Sequence, residues 1–142
     1  MKYTGENHII MIGWSDKSKL TIQEFLKSDK TINIVVIDIL EKAPMIEERL
    51  FYIRGDAADE ETLLSANLLR AKAVIIFANQ IKQGSYTTKD SLFVDGKTLL
   101  VATAIASIKE KMNTSVHITA EVMNQKHIHL FKHVKVDEFI LT

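Results

Sequence analysis

The residues best suited to bind a charged small molecule follow the first apolar run, His8 to Ile12. The run ends at Gly13, and the G-x-G-x-x-G spacing of a dinucleotide-binding turn aligns from that glycine. The first glycine of this pattern permits the tight turn, and the second lets a pyrophosphate approach bare backbone. Here Ser15 replaces the second glycine and Asp16 adds a negative charge, so classical NAD binding is doubtful. The N–H groups of the next helix could still hold an anion; a turn that only starts a helix is the alternative.

Polar side chains also follow the next four predicted strands. Asp38 ends the second strand roughly 25 residues after Gly13, close to where a ribose-binding carboxylate lies in dinucleotide folds. Because the carboxyl ends of parallel strands share one edge of a sheet, we expect these groups to line one cleft. The predicted ligand-binding residues are Gly13, Trp14, Ser15, Asp38, Gly55, Asp56, Ala57, Asn79 and Glu121.

The acids of this cleft allow two classes of ligand. Asp38, Asp56 and Glu121 could accept hydrogen bonds from ribose hydroxyls or from an adenine amine, which predicts a nucleotide site. Carboxylate oxygens also bind hard cations, so Asp56 and Glu121 are the predicted metal ligands, with Ca²⁺ as the cation. Solvated acids that only cap helices are the alternative to both. The cofactor stays open between a nucleotide and Ca²⁺.

No catalytic motif is complete in this chain. The segment 95–98 ends like a phosphate-binding P-loop, but Ser91 stands where that motif needs its first glycine. His129 and His133 have the helical spacing of metal ligands, yet the acid of an H-E-x-x-H site is missing. We therefore predict no catalytic residues and no enzyme activity.

The composition is typical of an ordinary globular domain. The 142 residues are 46% hydrophobic and 25% charged. Lys plus Arg and Asp plus Glu both total 18, so no basic excess favours nucleic acid, and the lack of cysteine excludes disulfides. The first residues form no signal peptide, and the longest near-apolar run is about half of what a bilayer crossing needs. We expect one domain, 1–142, with a flexible lead-in over 1–6 and no membrane insertion.

Strands and helices alternate along the whole chain. This order predicts an α/β fold, a Rossmann-like doubly wound sheet of six mostly parallel strands with helices on both faces. A long polar stretch, 79–96, separates the fourth strand from the next helix. The predicted strands are 8–12, 32–37, 51–53, 73–78, 116–122 and 138–141, and the predicted helices are 17–27, 45–50, 59–66, 97–111 and 124–133.

The helix over 99–108 is apolar nearly all round. One face must cover the sheet, and a monomer would leave the other in water, which predicts a homodimer. The alternative is a helix buried beneath the segment 79–96. The predicted dimer residues are Leu99, Ala102, Thr103, Ile105, Ala106, Ile128 and Phe131.

Taken together, these segments resemble the N-terminal lobe of the RCK domain, which regulates potassium conductance in bacterial and archaeal channels and in Trk/Ktr-type uptake subunits. The likeness runs from about Asn7 to the end, and its strength lies in the order and spacing of short motifs. The matching stretches are 8–15, 55–58, 63–75, 98–100 and 118–121.

The resemblance implies a cytoplasmic, ligand-sensing domain at the inner face of the cell membrane. Such a domain dimerises, joins a gating ring and opens or closes a potassium pore in the same or a separate chain. Some family members bind nucleotides or dinucleotides and others calcium, at positions that match Gly13, Ser15, Asp38, Asp56 and Glu121.

Two further features bear on this resemblance. Met123 stands where the calcium-gated type has a second acid, and the family's C-terminal lobe has no counterpart here. A free-standing regulatory subunit of a potassium transporter and a fragment of a small NAD(P)-dependent oxidoreductase are the alternative functions.

Overall fold

The computed structural model describes residues 1–79, 81–83, 86–88 and 90–141. In this part of the chain, six strands form one sheet in the order β3-β2-β1-β4-β7-β8, and every neighbouring pair is parallel. A separate antiparallel pair, β5-β6, follows β4 in the chain. The strands are β1 Ile9–Ile12, β2 Ile34–Asp38, β3 Leu50–Arg54, β4 Ala73–Ile76, β5 Ile81–Gln83, β6 Tyr86–Thr88, β7 His117–Val122 and β8 Glu138–Leu141.

Helices connect most of these strands and lie on both faces of the sheet. The α-helices are α1 Asp16–Ser28, α2 Glu60–Ser65 and α3 Ser91–Met112, and two 3₁₀ helices span Leu68–Arg70 and Gln125–Phe131. The predicted α/β fold with a six-stranded Rossmann-like sheet is therefore confirmed. The main strands differ from their predicted bounds only at the ends.

Strand β1 lies in the middle of the sheet, and all four of its residues are buried. Ile10 and Ile12 point into the larger core, which α2 and α3 cover. Ile9 and Met11 point into a smaller core on the α1 side. The chain passes from β1 to β2 on one side and places β4 on the other, so a crevice opens between their carboxyl ends.

The predicted helix over 45–50 is wrong, because a loop joins β2 to β3 and Leu50 already belongs to β3. A six-residue helix needs tertiary packing to offset the cost of nucleation: α2 has it through the buried Leu63, whereas Ile46 in this segment is 94% exposed. The guanidinium of Arg49 instead donates to the Leu26 carbonyl in the last turn of α1, and to the Asp29 and Ile32 carbonyls in the segment that follows, at 2.7–2.9 Å.

Helix α3 starts six residues earlier than predicted. The side chain of Asp90 accepts a hydrogen bond from the Leu92 N–H and so caps the helix. The first turns bury Val94, Asp95 and Thr98, so this part of the segment 79–96 is a helix and not a loop. Residues 80, 84, 85 and 89 of that segment lie outside the described residues.

Within the described residues, α3 is also the one helix with the length and apolar composition to cross a membrane. The burial of α3 within this domain gives a different reason for its apolar composition. Val101, Ala102, Ile105 and Ile108 are at most 2% exposed and belong to the larger core. The helix is therefore apolar on one side because it covers the sheet.

The predicted helix over 124–133 is a shorter 3₁₀ helix, and the expected flexible lead-in is wrong at Tyr3. The Tyr3 ring is 7% exposed and lies 4.4 Å from the His8 ring and 5.0 Å from the Phe51 ring, measured between centroids. Its backbone N–H donates to the Ser65 carbonyl at 2.8 Å. Aromatic contacts and this hydrogen bond tie the start of the chain to the core.

His8 is a fully buried polar residue at the opposite edge of the sheet from the crevice. Its Nε2 atom contacts the Ala66 carbonyl oxygen at 2.7 Å, so Nε2 carries the proton. The Nδ1 atom has no hydrogen-bond partner among the described residues. Burial lowers the pKa of His8, against a smaller opposing effect of the bond to Ala66, so the folded protein keeps this imidazole neutral.

We predict that His8 makes the domain less stable in mild acid. Because the folded-state pKa is lowered, the stability is fully present above the unfolded pKa of about 6.5 and is lost as the pH falls below it. Chemical denaturation from about pH 7.5 to about pH 5.5 should show a steeper loss for the unaltered chain than for His8→Gln, by up to about 1.4 kcal/mol per pH unit.

The exposed His133 supplies the matched control for this measurement. His133→Gln removes one histidine at an exposed position but leaves the buried His8 in place, so this variant should keep the steep loss of stability in acid. Identical pH profiles for His8→Gln and the unaltered chain would show that His8 is not the group responsible.

Candidate functional site

The crevice begins at the turn after β1. Gly13 has φ +96°, a conformation that L side chains rarely adopt, and its N–H donates to the Ile37 carbonyl at 3.0 Å. A Cβ atom on Gly13 would lie 2.5 Å from the Asn79 Nδ2 atom. Asn79 Nδ2 in turn donates to the Trp14 carbonyl at 3.2 Å, so the side chain of Asn79 fastens this turn to the end of β4.

The turn continues into a capping box that starts α1. The Ser15 N–H donates to Ser18 Oγ at 2.6 Å, and the Ser18 N–H donates to Ser15 Oγ at 3.3 Å. Each serine therefore satisfies a backbone donor of the other, which stabilises the first turn of the helix. Ser18 is 1% exposed, so the side of this pair that faces the core is shielded from solvent.

Asp38, at the end of β2, is bonded to the same turn. Its Oδ2 atom accepts from the Trp14 N–H at 2.6 Å, and its Oδ1 atom accepts from the Ile39 N–H at 2.7 Å. The hydroxyl of Tyr52 donates to the carbonyls of Asp38 and Leu40, and burial followed by the Asp38 charge raises the Tyr52 pKa. A carboxylate accepts about four hydrogen bonds, so Asp38 keeps capacity for a ligand hydroxyl.

Asp56, in the turn after β3, pairs with a lysine from α3. Its Oδ1 atom lies 2.7 Å from Lys97 Nζ and also accepts from the Ala58 N–H at 2.9 Å. The Lys97 ammonium, and then the bond from Ala58, hold the Asp56 pKa below its usual range. The ion pair is about half exposed, so its main effect is to place Asp56 and α3 beside each other.

Glu121, near the end of β7, is the buried acid of the site, at 3% exposure. Its Oε1 atom accepts from the Ala78 N–H at 2.7 Å, and its Oε2 atom is bonded to Lys17 Nζ. Lys17 belongs to the first turn of α1 and remains 49% exposed. Because a buried charge needs a partner, the ammonium of Lys17 neutralises Glu121 and ties α1 to β7.

The structure brings part of the predicted site together. Gly13, Trp14, Asp38 and Asn79 are joined by direct contacts, and the Gly55 N–H donates to the Asp38 carbonyl at 2.9 Å. The predicted binding residue Ala57 is 6% exposed and belongs to the core, so its side chain does not line the cleft.

The predicted Ca²⁺ ligands do not form a multidentate cluster. Among the described residues, no group of three or more His, Asp or Glu side chains is placed to hold a metal ion. Asp56 and Glu121 each have a lysine on the carboxylate instead. A calcium site at these two acids stays a prediction without geometric support.

Sequence reasoning missed both lysines of the site. Lys17 and Glu121 are 104 residues apart, and Lys97 and Asp56 are 41 apart, so no local spacing links them. A chemical signal existed for Lys17, because the buried acid Glu121 needs a cation and Lys17 follows the turn after β1 at the same edge of the sheet. Lys97 lies inside α3, so no such signal marked it.

A second surface with functional potential lies on α3. We define the α3 outer face as Leu92, Phe93, Gly96, Leu100, Thr103 and Ser107, which lie on the side away from the sheet. Leu92, Phe93 and Leu100 are 60–63% exposed, and Thr103 is exposed as well. A row of exposed apolar side chains on one helix is typical of a contact surface.

Three of the predicted dimer residues are wrong for that role. Ala102, Ile105 and Phe131 are at most 2% exposed and form part of the domain's own core. Thr103 is exposed, and Leu99, Ala106 and Ile128 are partly exposed, so these four remain available for a partner. The exposed apolar face of α3 is therefore centred nearer Leu100, about a quarter turn around the helix from the predicted interface.

The model of the TrkA-N domain family matches residues 9–142 of this chain. One relative, the "Putative potassium channel protein YugO" of Bacillus subtilis (strain 168), is 40% identical over 93 residues. A second, the calcium-gated potassium channel TvoK of Thermoplasma volcanium, is 27% identical over 122 residues. The alignments cover 65% and 86% of this chain but only 27% and 32% of the two relatives.

Solved structures of the same fold include channel domains. The crystal structure of the GsuK RCK domain superposes with a TM-score of 0.74 at 15% identity, over 99% of this chain and 27% of that one. GsuK has also been solved bound to ADP and bound to NAD. At this level of identity the likeness establishes the fold alone.

We predict that Gly13→Ala destabilises the domain by about 1–3 kcal/mol, because alanine is strained at this φ and its Cβ would collide with Asn79. The matched control is Gly96→Ala on the α3 outer face, where a new Cβ meets nothing within 4 Å. Alanine there should stabilise the helix by about 0.5–1 kcal/mol. Unfolding in denaturant measures both; equal effects at the two positions would contradict the strained turn.

Proposed function

The chain belongs to the TrkA-N domain family, and from this membership we propose that it is the ligand-sensing regulatory domain of a potassium channel. The observation that carries the proposal is the 40% identity to the potassium channel relative YugO over 93 residues. The relatives are three to four times longer than the matched part, so the pore and its activity belong to the proposal.

The proposed ligand is a nucleotide held in the crevice between β1 and β4. Asp38 has acceptor capacity for ribose hydroxyls, and the first turn of α1 offers N–H groups for a phosphate. Lys17 and Lys97 stand at the same edge and can turn toward a phosphate. The ADP- and NAD-bound states of GsuK support this choice. A divalent cation is the weaker candidate, because both candidate acids already contact an ammonium.

The domain acts through binding and not through catalysis in this proposal. The polar groups of the crevice hold the turn, the helix start and the strand ends, and none of them pairs a nucleophile with a base. An oxidoreductase would require a cofactor loop with its second glycine, and Ser15 stands there. The membership in a family with channel relatives gives further support.

The proposed output is a change at a dimer interface on the α3 outer face. Lys97, which contacts Asp56 in the crevice, lies on the same helix one turn before Leu100. A ligand that draws Lys97 away from Asp56 would therefore act directly on α3.

We propose a homodimer that joins a larger gating ring at the cytoplasmic face of the membrane. A pore in a separate chain, as in a transporter subunit, is the alternative assembly.

The ligand part of the proposal is tested by calorimetry and thermal shift with AMP, ADP, NAD and CaCl₂. A bound nucleotide should raise the melting temperature of the domain, because it stabilises the folded state by mass action. Asp38→Asn keeps one oxygen for the Trp14 N–H but loses the charge and the acceptor of the exposed Ile39 N–H, and it should weaken nucleotide binding about tenfold.

Asp137→Asn is the matched control, because Asp137 also accepts a backbone N–H, from Ile118, at the far edge of the sheet. It should leave the affinity unchanged. In vesicles that hold the full channel, the same nucleotide should change K⁺ flux, and Asp38→Asn should shift that response to about tenfold higher nucleotide concentration. A domain that binds none of the nucleotides would overturn the proposal.

We predict that Leu100→Lys weakens the dimer about tenfold or more, because it places a charge in the apolar α3 outer face. The control is Leu20→Lys on α1, where the leucine is 64% exposed against 60% for Leu100. Sedimentation equilibrium should show dissociation for Leu100→Lys alone. An unaltered domain that stays monomeric at high micromolar concentration would contradict a dimer through the α3 outer face.

A further inference from the structure

The turn after β1 uses most of its own backbone donors. The Gly13 N–H is taken by the Ile37 carbonyl, and the Trp14 N–H is taken by the Asp38 carboxylate. The N–H groups of Ser15 and Ser18 are taken by the two hydroxyls of the capping box. A pyrophosphate that approaches the backbone of this turn therefore meets few free donors.

Two backbone donors of this turn have no acceptor among the described residues. They are the N–H groups of Asp16 and Lys17, the first two residues of α1. Two neighbouring N–H groups can serve the oxygens of one phosphate. They cannot also serve a second phosphate farther along the turn.

The side chains of the capping box also stand in the path of a longer ligand. A dinucleotide must run across the turn at the second glycine position of the motif, where only bare backbone leaves room. In this chain Ser15 places a Cβ and a hydroxyl there, and that hydroxyl is held by the buried Ser18. The hydroxyl cannot rotate away without breaking the helix cap, which costs about 1 kcal/mol.

We propose that the Ser15–Ser18 capping box is a specificity-determining device that admits a nucleoside monophosphate to the crevice and rejects a dinucleotide. This inference rests on the proposed nucleotide-binding function. The single phosphate lies at the first two N–H groups of α1, with Lys17 able to reach it. The second half of a dinucleotide is excluded by the closed turn.

The test compares AMP with NAD by isothermal titration calorimetry. The unaltered domain should bind AMP at least about tenfold more tightly than NAD. The double variant Ser15→Gly, Ser18→Ala removes the Cβ from the path and frees the N–H groups of both residues. It should gain about tenfold in NAD affinity while its AMP affinity changes by less than about threefold.

Ser28→Ala is the matched control, because Ser28 bonds only to carbonyls at the other end of α1. It should leave both affinities unchanged. If the double variant does not fold, as judged by circular dichroism, Ser18→Ala alone frees the Ser15 N–H and should shift the AMP-to-NAD ratio in the same direction.

The outcomes separate this inference from the function on which it rests. Equal or tighter binding of NAD by the unaltered domain would overturn the inference and still support a nucleotide-sensing domain. An unchanged AMP-to-NAD ratio in the variants would also overturn the role of the capping box. Absence of binding for both nucleotides would overturn the inference and the proposed function together.

Discussion

The four apolar residues of β1 must be buried on both faces, and the rest of the structure depends on this constraint. A strand of this kind cannot lie at an edge, because its side chains need a helical layer above and below. The chain places β1 in the centre, with β2 and β3 on one side and β4, β7 and β8 on the other, and it covers one face with α1 and the other with α2 and α3. The reversal of direction beside β1 then opens the crevice in which the polar residues meet.

Charge in the crevice is balanced inside the chain. The acids at the strand ends are held by backbone N–H groups or by lysines from neighbouring helices. Each of these bonds joins two elements that are distant in sequence. A ligand that competes for one partner therefore loosens the contact between those two elements. Glu121 is the most consequential acid, because it contacts both α1, through Lys17, and the residue that precedes Asn79.

The fold could be predicted from sequence because buried parallel strands appear in it as short runs of apolar, mostly β-branched residues. The site could be located to one edge of the sheet for the same reason, since polar residues such as Asp38 directly follow these runs. The ion pairs could not be predicted, because no local pattern records which lysine will reach which acid. Helix α3 shows another limit. Apolar residues stand at nearly every position, so the sequence does not show which face of the helix is buried. Only contact with the sheet decides that Ala102 lies inside and Leu100 outside.

Helix α1 is fastened at both ends by side chains that occupy its unpaired backbone groups. Ser15 accepts from the Ser18 N–H at its start, and the guanidinium of Arg49 donates to the Leu26 carbonyl in its last turn and to the Asp29 carbonyl just after it. Such a helix resists fraying from either terminus, since its weakest turns have tertiary partners. Because Arg49 belongs to the loop between β2 and β3, a bound molecule that moves Lys17 would act on one end of a helix whose other end is bonded to that loop.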